Sequence, residues 1–181
     1  MVPDAGDKNP TGGVRGTRHR LRGPSRIDVH GAAPAKAGRA KSALRKAAPR
    51  KTRVLFVCIG NSCRSQMAEA FAKAYGADIM EVESAGVNAA SFIAPLTRQT
   101  LAERNLSIEE NFPKNMDQLR SQSFDLVVNM SGMPVQLPGT RLLEWTVPDP
   151  IGQTESYYRT VAAQIEGLVM RLILELRQAE I

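Results

Sequence analysis

The residues that do most metal and acid–base chemistry are scarce in this sequence. Its 181 residues hold two histidines and two cysteines. Both histidines, His19 and His30, lie near the N terminus, and no histidine occurs after position 30. That excludes Cys–His catalytic pairs and histidine-bearing zinc sites from the rest of the chain. Two cysteines separated by four residues do not build the disulfide framework of a small secreted domain. They suit a reducing, cytoplasmic setting and a reactive role. No run of 18 or more apolar residues occurs, so a membrane-spanning helix is not expected. The N terminus has no apolar segment of the kind that opens a secretory signal. Aromatic residues make up 5% of the chain.

The charge is unevenly placed. Residues 1–53 hold 14 of the 24 Lys/Arg and 3 of the 18 Asp/Glu. That segment therefore carries +11 and the remainder −5, which makes the chain's +6. Residues 1–52 are rich in Gly, Pro, Ala, Arg and Lys and hold few large apolar side chains, such as Leu21, Ile27 and Leu44. Such a segment buries too little to offset the entropy of ordering. We read 1–52 as a disordered basic tail with a weak helix near Ala35–Ala48, and 53–181 as one folded domain. Such a tail reads first as a passive extension; the functional readings are a weak electrostatic tether to nucleic acid or anionic lipid, or an organelle-targeting peptide, against which Asp4 and Asp7 argue.

From Arg53 onward the pattern is that of an α/β fold. "RVLFVC" is a continuous apolar run, as in a strand buried on both faces. Ser65–Tyr75 has helical spacing at Met67, Ala70, Phe71 and Ala74. "DIMEVESAG" and "FDLVVNM" read as further strands and "TRLLEWTV" as a shorter fourth. "APLTRQTLAERN" reads as a helix with Leu96, Thr100 and Leu101 inward, and Asn115–Ser121 as a short one. Thr154–Gln178 is the longest helix, with Tyr158, Val161, Ile165, Leu168, Leu172 and Leu176 on one stripe. Alternating strands and helices predict a three-layer, four-stranded parallel sheet with helices on both faces. Ligands of such folds bind beyond the carboxyl ends of the strands.

Both cysteines lie at one such end, in Cys58-Ile59-Gly60-Asn61-Ser62-Cys63-Arg64-Ser65. Gly60 and Asn61 tolerate the positive φ of a tight concave turn. Successive backbone N–H groups can then converge as an anion nest. The helix that starts near Ser65 adds the positive end of its dipole, and Arg64 offers a planar fork to two oxygens. A cup of this kind favours a thiolate at Cys58, held under a tetrahedral oxyanion, with Ser65 as a hydrogen-bond donor to the sulfur. With no histidine in the body, the proton donor is a carboxylate, Tyr or Lys. Asp149, clamped between Pro148 and Pro150 in "VPDPIG", is one candidate; a turn aspartate chosen for local hydrogen bonds is the other reading.

"VLFVCIGNSCRSQMAEAF", "ESAGV", "FDLVVNM" and "DPIG", in this order, resemble the low-molecular-weight protein-tyrosine-phosphatase family, which also includes thiol-dependent arsenate reductases. The resemblance runs from about Arg53 to Gln178. It implies Cys58 as nucleophile, Arg64 as oxyanion clamp and Asp149 as general acid. The backbone of Ile59 through Ser65 would bind the oxyanion, with Asn61, Ser65 and Ser84 ordering the loop. It implies neither metal nor cofactor. The first reading is a phosphatase acting on a phosphate monoester, in first place protein phosphotyrosine, through a cysteinyl phosphate. The alternative is an arsenate reductase. "GNSCRSQMAEA" resembles that branch, but reductases that relay oxidation internally use two further cysteines after the third strand. Ser131 stands near the place of the first here, so reduction would need an external small thiol or a glutaredoxin-like partner. Lys114 stands near where some reductases carry an acidic ion ligand. A third reading is an anion-binding module tethered to nucleic acid by the tail. Phe92 is a candidate wall of a substrate slot, with Trp145 or Tyr157 as a further contributor; the plainer reading of all three is core or surface. Cys63 is a candidate for a protective disulfide with Cys58.

Overall fold

Four consecutive residues, Val54–Val57, have no accessible surface. They form the middle of β1 (Thr52–Cys58), which is hydrogen-bonded on both sides. This is a computed structural model, and it describes residues 50–179. The basic tail up to residue 49 and the weak helix expected near Ala35–Ala48 lie outside the described residues. β1 pairs in parallel with β2 (Met80–Gly86) and with β3 (Leu126–Asn129). β4 (Arg141–Glu144) pairs in parallel with β3, so the sheet order is β2-β1-β3-β4. β1 begins at Thr52, beside the boundary at 53 that composition suggested. Arg50 already pairs with Asp125 at 2.7 Å.

The three α-helices among the described residues are α1 (Arg64–Gly76), α2 (Pro95–Ala102) and α3 (Glu155–Ala179). Alternation along β1 splits the core in two. Val54, Phe56 and Cys58 pack with Met67 and Phe71 of α1 and with Val161, Ile165 and Val169 of α3. The stripe expected on α3 is buried at Tyr158, Val161, Ile165 and Leu172 and half-buried at Leu168 and Leu176. Leu55 and Val57 face the other way, onto Leu119, Phe124 and Val135. That second face carries the 3₁₀ turn Met116–Leu119, where Asn115–Ser121 reads as a helix, and the loop that brings in Val135 and Leu137. No helix among the described residues is long and apolar enough to cross a membrane.

The chain leaves β1 toward one neighbour, β2, and later returns on its other side as β3. The crevice at such a switch point lies outside the carboxyl end of the first strand, and Cys58 ends β1.

Candidate active site

Residues 58–65 join β1 to α1. All the carbonyls of Cys58 through Ser62 are engaged by the following segments. Those of Cys58, Ile59 and Gly60 accept the N–H groups of Val87, Asn88 and Ala90 at 2.8–3.0 Å. The Ser62 carbonyl accepts from the Ala94 amide at 3.1 Å and from the Thr97 hydroxyl at 3.0 Å. The Asn61 carbonyl accepts from Gln66 Nε2 at 3.2 Å. With its carbonyls tied back, the loop turns its N–H groups the other way. Among the described residues, those of Gly60, Asn61, Ser62 and Cys63 have no backbone acceptor. That is the donor set of an anion nest, set at the N terminus of α1.

Asn61 alone takes the left-handed turn, at φ 49°. Gly60, expected to share it, does not. A Cβ there would sit in ordinary contact with Ala90, 3.6 Å away. Asn61 holds the strained conformation because its side chain is bonded at both ends. Its Oδ1 accepts from the Lys114 backbone N–H at 2.7 Å. Its Nδ2 donates to Ser65 Oγ and Ser84 Oγ, both at 2.8 Å. Ser65 Oγ lies 3.0 Å from Cys58 Sγ. The three residues expected to order the loop therefore meet beside the Cys58 thiol.

Arg64 is 5% exposed. Its Nη1 donates to the carbonyls of Met130 and Val147 at 2.9 and 3.1 Å. Its Nη2 pairs with Asp149 Oδ2. Its Nε is buried without a partner, a donor that an oxyanion would satisfy. Asp149 is otherwise held by the Ile151 N–H on Oδ1, at 3.2 Å. Cys63, by contrast, turns its side chain into the core beside Thr97 and Tyr158. Burial pushes its thiol up to about 12, which works against the thiolate that disulfide exchange requires. Burial likewise pushes the Tyr158 phenol up to about 12.

Beside the loop opens a cleft of about 680 Å³ with largely apolar walls, including Ile59, Phe92, Leu96, Ile151 and Tyr158, and with Asp149 at its side. Of the three residues expected as slot walls, Phe92 is there. Trp145 is not: it follows β4 and packs on Phe56, with ring centroids 5.9 Å apart. Tyr157 is exposed and outside the cleft lining, the neighbour of Tyr158 in α3. Lys114 pairs through its ammonium with Glu83.

Two residues escaped the sequence reading. Gly86 ends β2 against the loop. A Cβ there would lie 2.7 Å from the Ile59 carbonyl oxygen and 2.9 Å from Asn61 N, so no side chain fits. Glu69, 2% exposed on α1, accepts a hydrogen bond from the Ser84 hydroxyl. Only the small residues of "ESAG" hint at the first. A glutamate in the Ala-rich stretch "MAEAF" gives no sign of the second.

The family model for low molecular weight phosphotyrosine protein phosphatase matches residues 53–180. The chain belongs to this family. Within it, a glutaredoxin arsenate reductase of Synechocystis is 33% identical over 68% of this chain and 98% of its own length. Arsenate reductase 1 of Bacillus cereus is 34% identical over 67% of this chain and 93% of its own. Among solved structures, an arsenate reductase in the phosphate binding state superposes with a TM-score of 0.63 at 33% identity. It covers 69% of this chain and 98% of that one. The low molecular weight protein tyrosine phosphatase from T. tengcongensis gives 0.58 at 31%, over 69% and 99%. The family and the four-stranded parallel fold expected from the motifs are thus borne out. The family alone does not select hydrolase over reductase, and the relatives lean to the reductase.

Proposed function

We propose that this chain is an arsenate reductase that draws its electrons from an external thiol. The observation that carries the reading is the alignment, along nearly their whole length, with proteins named arsenate reductases. It reverses the order in which the motifs alone ranked phosphatase and reductase. Arsenate directs its oxygens at the loop N–H groups and at Arg64 Nε. It competes with Asp149 for Arg64 Nη2, so capture of the anion frees the carboxyl to face the departing oxygen. The Cys58 thiolate attacks arsenic and displaces that oxygen, which Asp149 protonates so that it leaves as water.

An external thiolate then attacks the Cys58 sulfur. The As–S bond breaks, its electron pair stays on arsenic, and arsenite departs. Cys58 is left in a mixed disulfide with the carrier. A second external thiol resolves it, restoring Cys58 and giving the oxidised carrier. Two thiols supply the two electrons that arsenic(V) takes up. The chain offers no internal substitute, since its one other thiol, Cys63, is buried and hard to ionise. Ser131 has its hydroxyl committed to Asn129 Oδ1 at 2.7 Å.

One observation favours a second reading. The apolar cleft exceeds what an inorganic oxyanion needs and would accept the aryl group of a phosphate ester. In that case Cys58 attacks phosphorus, Asp149 protonates the ester oxygen, and water hydrolyses the cysteinyl phosphate. The deciding measurement gives the purified chain arsenate with a small thiol or a glutaredoxin-type protein, and separately an aryl phosphate. Arsenite formation that outruns ester hydrolysis supports the reductase. Ester hydrolysis with no arsenite from any thiol donor reverses it.

A further inference from the structure

Glu69 is the one acidic residue among the described residues that is fully buried, and neither reaction above uses it. The hydrogen bonds from Lys114 through Asn61 to the two serines and from Ser84 to Glu69 have a fixed direction. The Lys114 backbone N–H can only donate, so the Asn61 oxygen must face it and the Asn61 NH₂ must face the two serines. Each serine oxygen thus receives one of the two amide protons. Each serine has one hydrogen left to give. Ser84 gives its hydrogen to Glu69 Oε2, since a carboxylate paired with an ammonium only accepts. Ser65 Oγ lies 3.0 Å from the Cys58 sulfur, and once that sulfur is a thiolate, which can only accept, Ser65 gives its hydrogen to it.

We propose that Glu69 is a positioning residue for the nucleophile. By holding the Ser84 proton it keeps that hydroxyl an acceptor for Asn61, and through Asn61 it commits the Ser65 hydroxyl to donate to the Cys58 thiolate. The carboxylate is in turn held by Lys73 one helical turn later on α1, at the protein surface. Hydrogen bonds in such a chain polarise one another, so the far end strengthens the contact at sulfur without touching substrate. The inference rests on the reading that Cys58 is the nucleophile, but not on whether arsenic or phosphorus is attacked.

The test reads Cys58 directly, by iodoacetamide alkylation of the full chain across pH, with Cys58→Ser as the blank. If the blank alkylates as fast as the unsubstituted chain, Cys58 is not the reactive thiol and the function itself fails. If Cys58 is alkylated, Glu69→Ala should slow its reaction at neutral pH by about tenfold, the low end for loss of a partner behind a reactive group, and move the profile to higher pH. Glu69→Gln, whose amide oxygen still accepts from Ser84, should recover most of the rate. Ser84→Ala should match Glu69→Ala, and the double variant should lose no more than Ser84→Ala alone. Additive losses, a Gln variant as impaired as the Ala variant, or an unshifted pH profile would each overturn the proposal. If Glu69→Ala does not fold, Ser84→Ala and Glu69→Gln still decide it: rate loss in the first with retention in the second supports the proposal, and any other pattern overturns it.

Discussion

The loop after β1 and the loop after β4, which on the proposed chemistry supply the two ends of one reaction, are built oppositely. Asn61, Ser62, Cys63, Arg64 and Ser65 are buried, and every carbonyl from Cys58 to Ser62 is bonded. Asp149 has a side chain 40% exposed and rests on two contacts, Arg64 and the Ile151 amide. The proposed nucleophile, Cys58, is set before substrate arrives. The proposed acid, Asp149, is held by Arg64, the same cation that the proposed substrate would need. A fixed donor cup costs no reorganisation during the reaction, whereas a carboxyl that serves first as a stand-in anion must be displaced by the true one.

The sharpest way to break this contrast is Cys58→Ser, which should reduce turnover of arsenate and of an aryl phosphate by at least about 10³-fold, with the fold retained by circular dichroism. Asp149→Asn should lower kcat by about 10²-fold. It should also tighten binding of inorganic phosphate, read by protection of Cys58 from alkylation, because the competing charge on Arg64 is gone. Equal or weaker phosphate binding would mean that Asp149 does not compete with the oxyanion. Gly86→Ala forces a methyl group into the rear of the fixed loop. It should destabilise the protein by about 1–3 kcal/mol in urea unfolding and reduce phosphate binding, whereas an equal change in the loop after β4 should leave phosphate binding alone.

The smallest effect is expected far from both loops. Arg159 on α3 holds the Glu103 carboxyl down to about 2 from 4.5. The folded value is the lower one, so this pair stabilises fully above pH 4.5 and its contribution fades as pH falls toward 2. Glu103→Gln should flatten stability across that window. The change should be small and should shrink further in salt, because the pair is exposed.

What the sequence made legible follows from how local the signals were. β1, the turn and α1 form one unbroken stretch, and its apolar run, small turn residues and helical spacing each state their own structure. The pairing of Arg64 with Asp149 links residues 85 positions apart, and no spacing could announce it. Gly60 and Asn61 were equally permissive on paper. Only the bonds from Lys114, Ser65 and Ser84 single out Asn61 for the left-handed turn. Trp145 was misassigned because aromatic character says nothing of direction. One residue past β4, it turns inward to Phe56. Glu69 was invisible because a buried carboxylate announces itself through its partners, and the one that ties it to the loop, Ser84, comes from β2.

The two carbonyls on Arg64 Nη1 carry a last consequence. They come from Met130, just past β3, and Val147, just before the acid loop. The guanidinium is therefore a rivet through three segments of backbone, and its position cannot be retuned for a larger or smaller oxyanion without loosening all of them. On the proposed chemistry, phosphorus and arsenic meet the same bore. Divergence between hydrolase and reductase would then proceed at the cleft mouth, by changing whether water or a thiol reaches the loaded cysteine, while the machinery beneath stays as it is.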